Sequence, residues 1–142
     1  MIDLHDAGLA PYIIEDIARA GARVRMGFPV WLSPFLRSWV VAVTIGKTIY
    51  LSRAVSGWPV EQIERTMRHE MVHVRQAMSL GVVRFLTRYG LEYVRNRISG
   101  MEPHTAYLAI SFECEARTAE EEIQAWIDAS GTASTSRQPD DI

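Results

Sequence analysis

The sequence predicts an α+β domain, with a small antiparallel sheet, a hairpin at about residues 39–51, packed on three to four helices. Three observations lead there. Residues 39–45 and 48–51 are β-branched and aromatic, and Gly46-Lys47 between them is a hairpin signal. Ile63, Met67, Met71, Val74 and Met78 follow at spacings of four, four, three and four, the apolar face of a long helix. The chain has 142 residues, 48% hydrophobic and 23% charged, which suits one globular domain and excludes a rod or a mostly disordered chain.

Each element has its own signal. Ile13, Ile14, Ile17 and Ala18 mark a helix over 11–22, stopped by Gly21, and residues 23–26 suit a short strand. Residues 28–34 carry Pro29 and Pro34 and read as irregular. Pro59 fits the first turn of the long helix, and Gly81 ends it after Leu80. Residues 82–98 form a second helical pattern with Phe85, Leu86, Tyr89, Tyr93 and Val94 apolar, and Tyr89 and Tyr93 read as core. Residues 99–105 read as a loop, and Ser111 as the N-cap of a last helix over 112–129. The domain is expected to span 1–129, with a disordered tail rich in Ser, Thr, Gly and Asp over 130–142.

Charge and cysteine content narrow the function. Fifteen basic residues stand against seventeen acidic ones, so a whole-surface grip on nucleic acid is not expected. The arginines of residues 65–97, with Arg84, Arg88 and Arg95 at helical spacing, read as a solvated face. Cys114 is alone, which excludes an intrachain disulfide framework and a four-cysteine zinc site. No basic segment followed by an apolar run opens the chain, and Pro29, Pro34 and Arg37 break its most apolar stretch. A cytoplasmic location with no membrane partner is the expectation.

The chemistry lies in His69-Glu70-Met71-Val72-His73, an HExxH pattern inside the long helix. With four His and eleven Glu, a shuffled chain would carry it roughly 0.01 times. Residues i and i+4 stack on one helix face, so two imidazoles there can hold one Zn²⁺. The carboxylate at i+1 then reaches the metal-bound water and acts as general base. Catalytic zinc takes three protein ligands, and no histidine follows at close spacing, since position 79 is Ser79. The third ligand must come from another element. His5, His104, Cys114 and the carboxylates Glu92, Glu102, Glu113, Glu115, Glu120, Glu121 and Glu122 are available. Glu113 stands out because it opens the last helix; Glu115 is the alternative, and the two face apart. Cys114 is expected to be a buried thiol that does not ligate.

His69-Glu-Met-Val-His73 followed by Phe112-Glu113-Cys-Glu-Ala116 resembles the gluzincin class of zinc metallopeptidases. The wider run, from His69 to Gln76 and from Ala106 to Ala116, is similar to small single-domain bacterial and phage HExxH proteins. The resemblance implies a zincin-like domain with Zn²⁺ on His69, His73 and Glu113, and Glu70 as base. It implies a peptide or protein substrate lying along the open edge of a strand, for which the hairpin is the available sheet. In that class a Glu-x-x-Ala-Asp pattern is common. Glu113 and Ala116 fit it, but Arg117 stands in the place of the Asp whose carboxylate would hold a ligand histidine. A hydrolase also needs a donor for the developing oxyanion. His104 and Tyr107, just before the Glu113 helix, are the candidates, and Gln76 shares the face of His73. The functional expectation is a zinc-dependent peptidase, weak or latent included; the alternative is a catalytically silent metal-binding assembly or regulatory module.

Overall fold

The computed structural model describes residues 8–135. In chain order the elements are α1 (Pro11–Ala20), β1 (Arg23–Met26), β2 (Ala42–Ile45), β3 (Thr48–Leu51), α2 (Val60–Leu80), α3 (Val82–Ile98), α4 (Pro103–Leu108) and α5 (Ser111–Thr135), with short 3₁₀ turns at Ser33–Phe35 and Arg53–Gly57. The architecture is α+β, as expected. The sheet is mixed rather than purely antiparallel: its order is β1-β3-β2, with β2 antiparallel and β1 parallel to β3. A parallel partner needs a crossover from elsewhere in the chain, which no hairpin signal announces.

Local chemistry explains the punctuation. Gly21 takes the left-handed conformation (φ 62°) and its N–H closes α1 on the carbonyls of Ala18 and Ile17. Gly46 turns the hairpin at φ 62°, and a Cβ there would come within 3.2 Å of Val82, so the turn also lets the start of α3 approach. Helix α2 occupies the middle and packs on α5, α3, β2 and α1. Met67, Met71 and Val74 enter a core shared with Ile13, Ile17, Val24, Ile49 and Leu51. Ala77 enters a second core with Phe85, Ile110 and Phe112. His69, Glu70 and His73 therefore ride the ridge of α2 between two packed layers.

Four expectations need correcting. Met78 is exposed, because α2 outruns the domain before its last turn finds a partner. Residues 103–108 form α4, whose Pro103 sits at the helix start; six residues are too few to show a 3.6-residue period. Ser111 lies within α5, and the cap comes from across the fold: Glu92 of α3 accepts from the Ser111 N–H at 2.7 Å. Helix α5 runs to Thr135, so residues 130–135 are helical; the rest of the expected tail, 136–142, lies outside the described residues, as does His5.

The packing contrast along α2 has a measurable consequence. Met67 is fully buried, so Met67→Ala is expected to destabilise the protein by about 2–5 kcal/mol. Met78→Ala, at an exposed position, is expected to stay within about 0.5 kcal/mol. Urea unfolding of both variants checks the assignment.

Candidate metal centre

One helical turn separates His69 from His73, and both rings project from α2 toward the start of α5. Phe112 and Ala116 of α5 are buried; Phe112 packs on Phe85 with ring centroids 4.8 Å apart. A large residue anchoring the helix and a small one admitting its neighbour bring Glu113, only 2% exposed, onto the histidine pair. His69 Nε2 lies 3.0 Å from Glu113 Oε2, and His73 Nε2 lies 3.1 Å from Glu113 Oε1. One ligand atom from each of the three residues falls within 4.8 Å of the others.

The far sides of both rings are held. His73 Nδ1 is 2.8 Å from the Gln76 side-chain oxygen. The Gln76 amide donates its N–H groups to the Phe112 carbonyl at 3.2 Å and to Glu115 at 2.9 Å. Its oxygen is thus the end facing His73, and the His73 proton belongs on Nδ1. His69 Nδ1 faces Glu120 Oε2 at 3.3 Å, and Arg65 pairs with the other oxygen of Glu120. In their neutral forms both imidazoles therefore present bare Nε2 lone pairs to a buried carboxylate. His73 Nε2 is a buried polar atom with no properly directed hydrogen bond. Tyr89 donates to the outer side of the carboxylate, but among the two Nε2 atoms and the carboxylate themselves there is no donor, so their approach calls for positive charge between them, as protons or as a metal ion. Ligands about 2.0–2.1 Å from a tetrahedral zinc lie roughly 3.3 Å apart, close to the two His–Glu separations here. The donor set suits Zn²⁺.

Without metal, protons take that role. Burial disfavours the charged imidazole of His73, but the Glu113 carboxylate 3.1 Å from its Nε2 and the charge of Glu70 outweigh it and hold the group up at about 9. His69 is raised by the same contest. Burial opposes ionisation of Glu113, yet the two histidines and Tyr89 keep its carboxyl far below the usual range. A Zn²⁺ ion bound here would displace the His73 proton, so its affinity is expected to rise about tenfold per pH unit, for each proton displaced, up to about pH 9 and then to level off. The stability of the metal-free protein should move oppositely. The imidazolium's contribution is complete below the unfolded value near 6.5 and is lost as pH rises through about 9. Zinc titration calorimetry in buffers of different ionisation enthalpy, with urea unfolding of the metal-free protein, checks both signs.

Glu70 is buried on the neighbouring face of α2. Thr44 of β2 donates to its Oε2 at 2.6 Å. Burial raises the Glu70 carboxyl, partly offset by the charge of His73 and the Thr44 bond. Two cavities open on either side of it. One, of about 670 Å³, reaches His69 and Glu120; the other, of about 380 Å³, reaches His73 and Glu113. Trp39, Val40, Ala42, Glu70 and Tyr107 line both. Strand β2 is a sheet edge, and it runs beside this divide.

The structure thus brings His69, His73 and Glu113 together, with Glu70 alongside. Tyr107 is half-buried near Glu70, its phenol pushed up by burial and by the charges of Glu113 and Glu70. His104 is exposed, packs on Trp39 with ring centroids 4.8 Å apart, and lines only the larger cavity. Glu115 is exposed and bonded to Gln76, away from the cluster. Cys114 is exposed rather than buried, one step round α5 from the buried Glu113; its thiol reaches the Leu108 carbonyl. Sequence reasoning missed three residues. Tyr89, read as core, donates to Glu113 Oε1 at 2.6 Å. Thr44 had no signal, being one residue in a strand. Glu120 was legible in principle: it lies seven residues after Glu113, two turns along the same face, and it supplies the carboxylate that Arg117 does not. Arg117 instead donates to the Leu108 carbonyl at 2.6 Å. Among the described residues no helix is long and apolar enough to cross a membrane. Comparison with family models, curated proteins and solved structures finds no match for this chain.

Proposed function

We propose that this chain is a zinc-dependent peptidase of gluzincin type, with His69, His73 and Glu113 holding one Zn²⁺ and Glu70 as general base. The observation that carries the proposal is the convergence of two Nε2 lone pairs and a buried carboxylate, with a second buried carboxylate beside them. Bound zinc supplies a Lewis acid that polarises a carbonyl and makes water acidic enough to be deprotonated near neutral pH.

The chain's own residues do the rest. Thr44 fixes Oε2 of Glu70, leaving Oε1 to take a proton from the attacking water and return it to the departing amine. Burial brings the carboxyl's basicity closer to working pH. An extended peptide pairs along β2, its side chains entering the cavities on either side of Glu70. The Tyr107 phenol, kept protonated, donates to the oxyanion as it develops. His104 and Trp39 form a wall of the larger cavity and contact the substrate away from the bond that breaks. Gln76 and Glu120 orient the two imidazoles. A purely structural metal site has no use for Glu70, whose burial is costly. The test is incubation of zinc-loaded protein with denatured casein, reading new termini by mass spectrometry. Cleavage that a chelator stops and zinc restores is expected. One zinc per chain with no cleavage overturns the peptidase reading in favour of a silent metal-binding module.

A further inference from the structure

Helix α3 buries one side and leaves a second apolar side open. At 100° per residue, Phe85, Tyr89 and Asn96 share the inward side, where Phe85 is buried and Asn96 bonds the Ala106 carbonyl. Val83, Leu86, Leu91, Val94 and Ile98 fall in an arc of about 140° on the opposite side, all exposed. Val83 is 78% and Ile98 81% exposed. The turn after β1 carries Val30, Trp31 at 64% and Phe35 at 79% exposure, and Trp31, Phe35 and Leu86 line the smaller cavity together. Exposed apolar surface on this scale marks a docking site rather than scattered hydrophobes.

Charge says what docks. Residues 17–60 and 71–101 carry eleven of the fifteen basic residues and one of the seventeen acidic ones, Glu92. The apolar residues just named all lie in those segments. Glu92 is turned inward on Ser111. Arg84 and Arg95 run along one flank of the α3 stripe, and Arg97 lies within it, between Leu86 and Val83; Arg88 is turned inward, bonded to Glu92 and Ser111 and lying over the Phe112 ring. The carboxylates gather on α5 and at the start of α2.

We propose that the α3 stripe and the Val30–Trp31–Phe35 turn form one surface that docks on an anionic lipid bilayer. An amphipathic helix with an apolar face, an arginine flank and an adjacent Trp lies in the interface plane, the apolar residues entering the headgroup boundary and the guanidinium groups meeting lipid phosphates. No spanning helix is required. Docking sets the smaller cavity, which His73 and Glu113 also line, against the membrane surface. This revises the expectation that no membrane is involved, and it stands independently of the peptidase reading.

The test is flotation of the full chain with phosphatidylcholine vesicles, with and without 30% phosphatidylglycerol. Binding to the anionic vesicles is expected at least tenfold tighter than to neutral ones, weakening as salt rises. The double variant Val83→Glu/Ile98→Glu is expected to lose at least tenfold, with circular dichroism unchanged because both positions are exposed. Arg84→Glu/Arg95→Glu should lose the preference for anionic lipid. Absence of binding to anionic vesicles overturns the proposal, as does binding that neither double variant weakens. Dimers that Val83→Glu/Ile98→Glu dissociates, without vesicle binding, assign the face to a second copy and overturn it as well.

Discussion

Glu70→Gln keeps its zinc and lowers kcat/KM by about 10²–10⁴, the range a positioned general base contributes. Glutamine retains the size of glutamate and still accepts from Thr44, whose hydroxyl lies 2.6 Å from Oε2, so the local packing survives. What is lost is the oxygen able to hold a proton. The metal ligands come from other side chains, so one zinc per chain should remain. Removing a buried carboxylate also removes its desolvation cost, so the variant should be no less stable than the wild type. Metal analysis, peptide cleavage and thermal unfolding on one preparation separate these effects. Activity surviving within a factor of three of wild type would remove Glu70 from the chemistry and with it the peptidase mechanism.

Glu113→Gln weakens zinc by at least 10–100-fold, while Glu115→Gln changes it by less than a factor of three. A neutral amide cannot supply the negative charge that the two imidazoles face, and even the loss of a group supporting a ligand costs that much. Tyr89 would still find an acceptor at position 113, so the fold should survive. Glu115 touches the site only through Gln76, which keeps its second bond to the Phe112 carbonyl. His73→Ala is expected to lose most of the metal, since two remaining ligands hold zinc poorly. Cys114→Ser, at an exposed position, should leave zinc content unchanged. Loss of zinc from Glu115→Gln but not from Glu113→Gln would mean that α5 is turned differently against α2.

The sequence by itself determined what is local. The HExxH spacing, the apolar period of α2, the stops at Gly21 and Gly81 and the hairpin at Gly46 depend on helix geometry and backbone conformation within a few residues. Only the tertiary structure decided what depends on distant partners. The pairing of β1 with β3, the Glu92 cap on Ser111, and the approach of Thr44, Tyr89 and Glu120 to the site each join residues nineteen or more positions apart, or lie on elements whose facing nothing local sets. Periodicity also records that a face is apolar without saying what covers it. Phe85 and Val94 belong to one helical pattern, yet Phe85 enters the second core and Val94 stays exposed. The physical reason is that a helix has more apolar sides than a single-layer neighbour can cover, and which side is covered depends on where α5 and α4 come to rest.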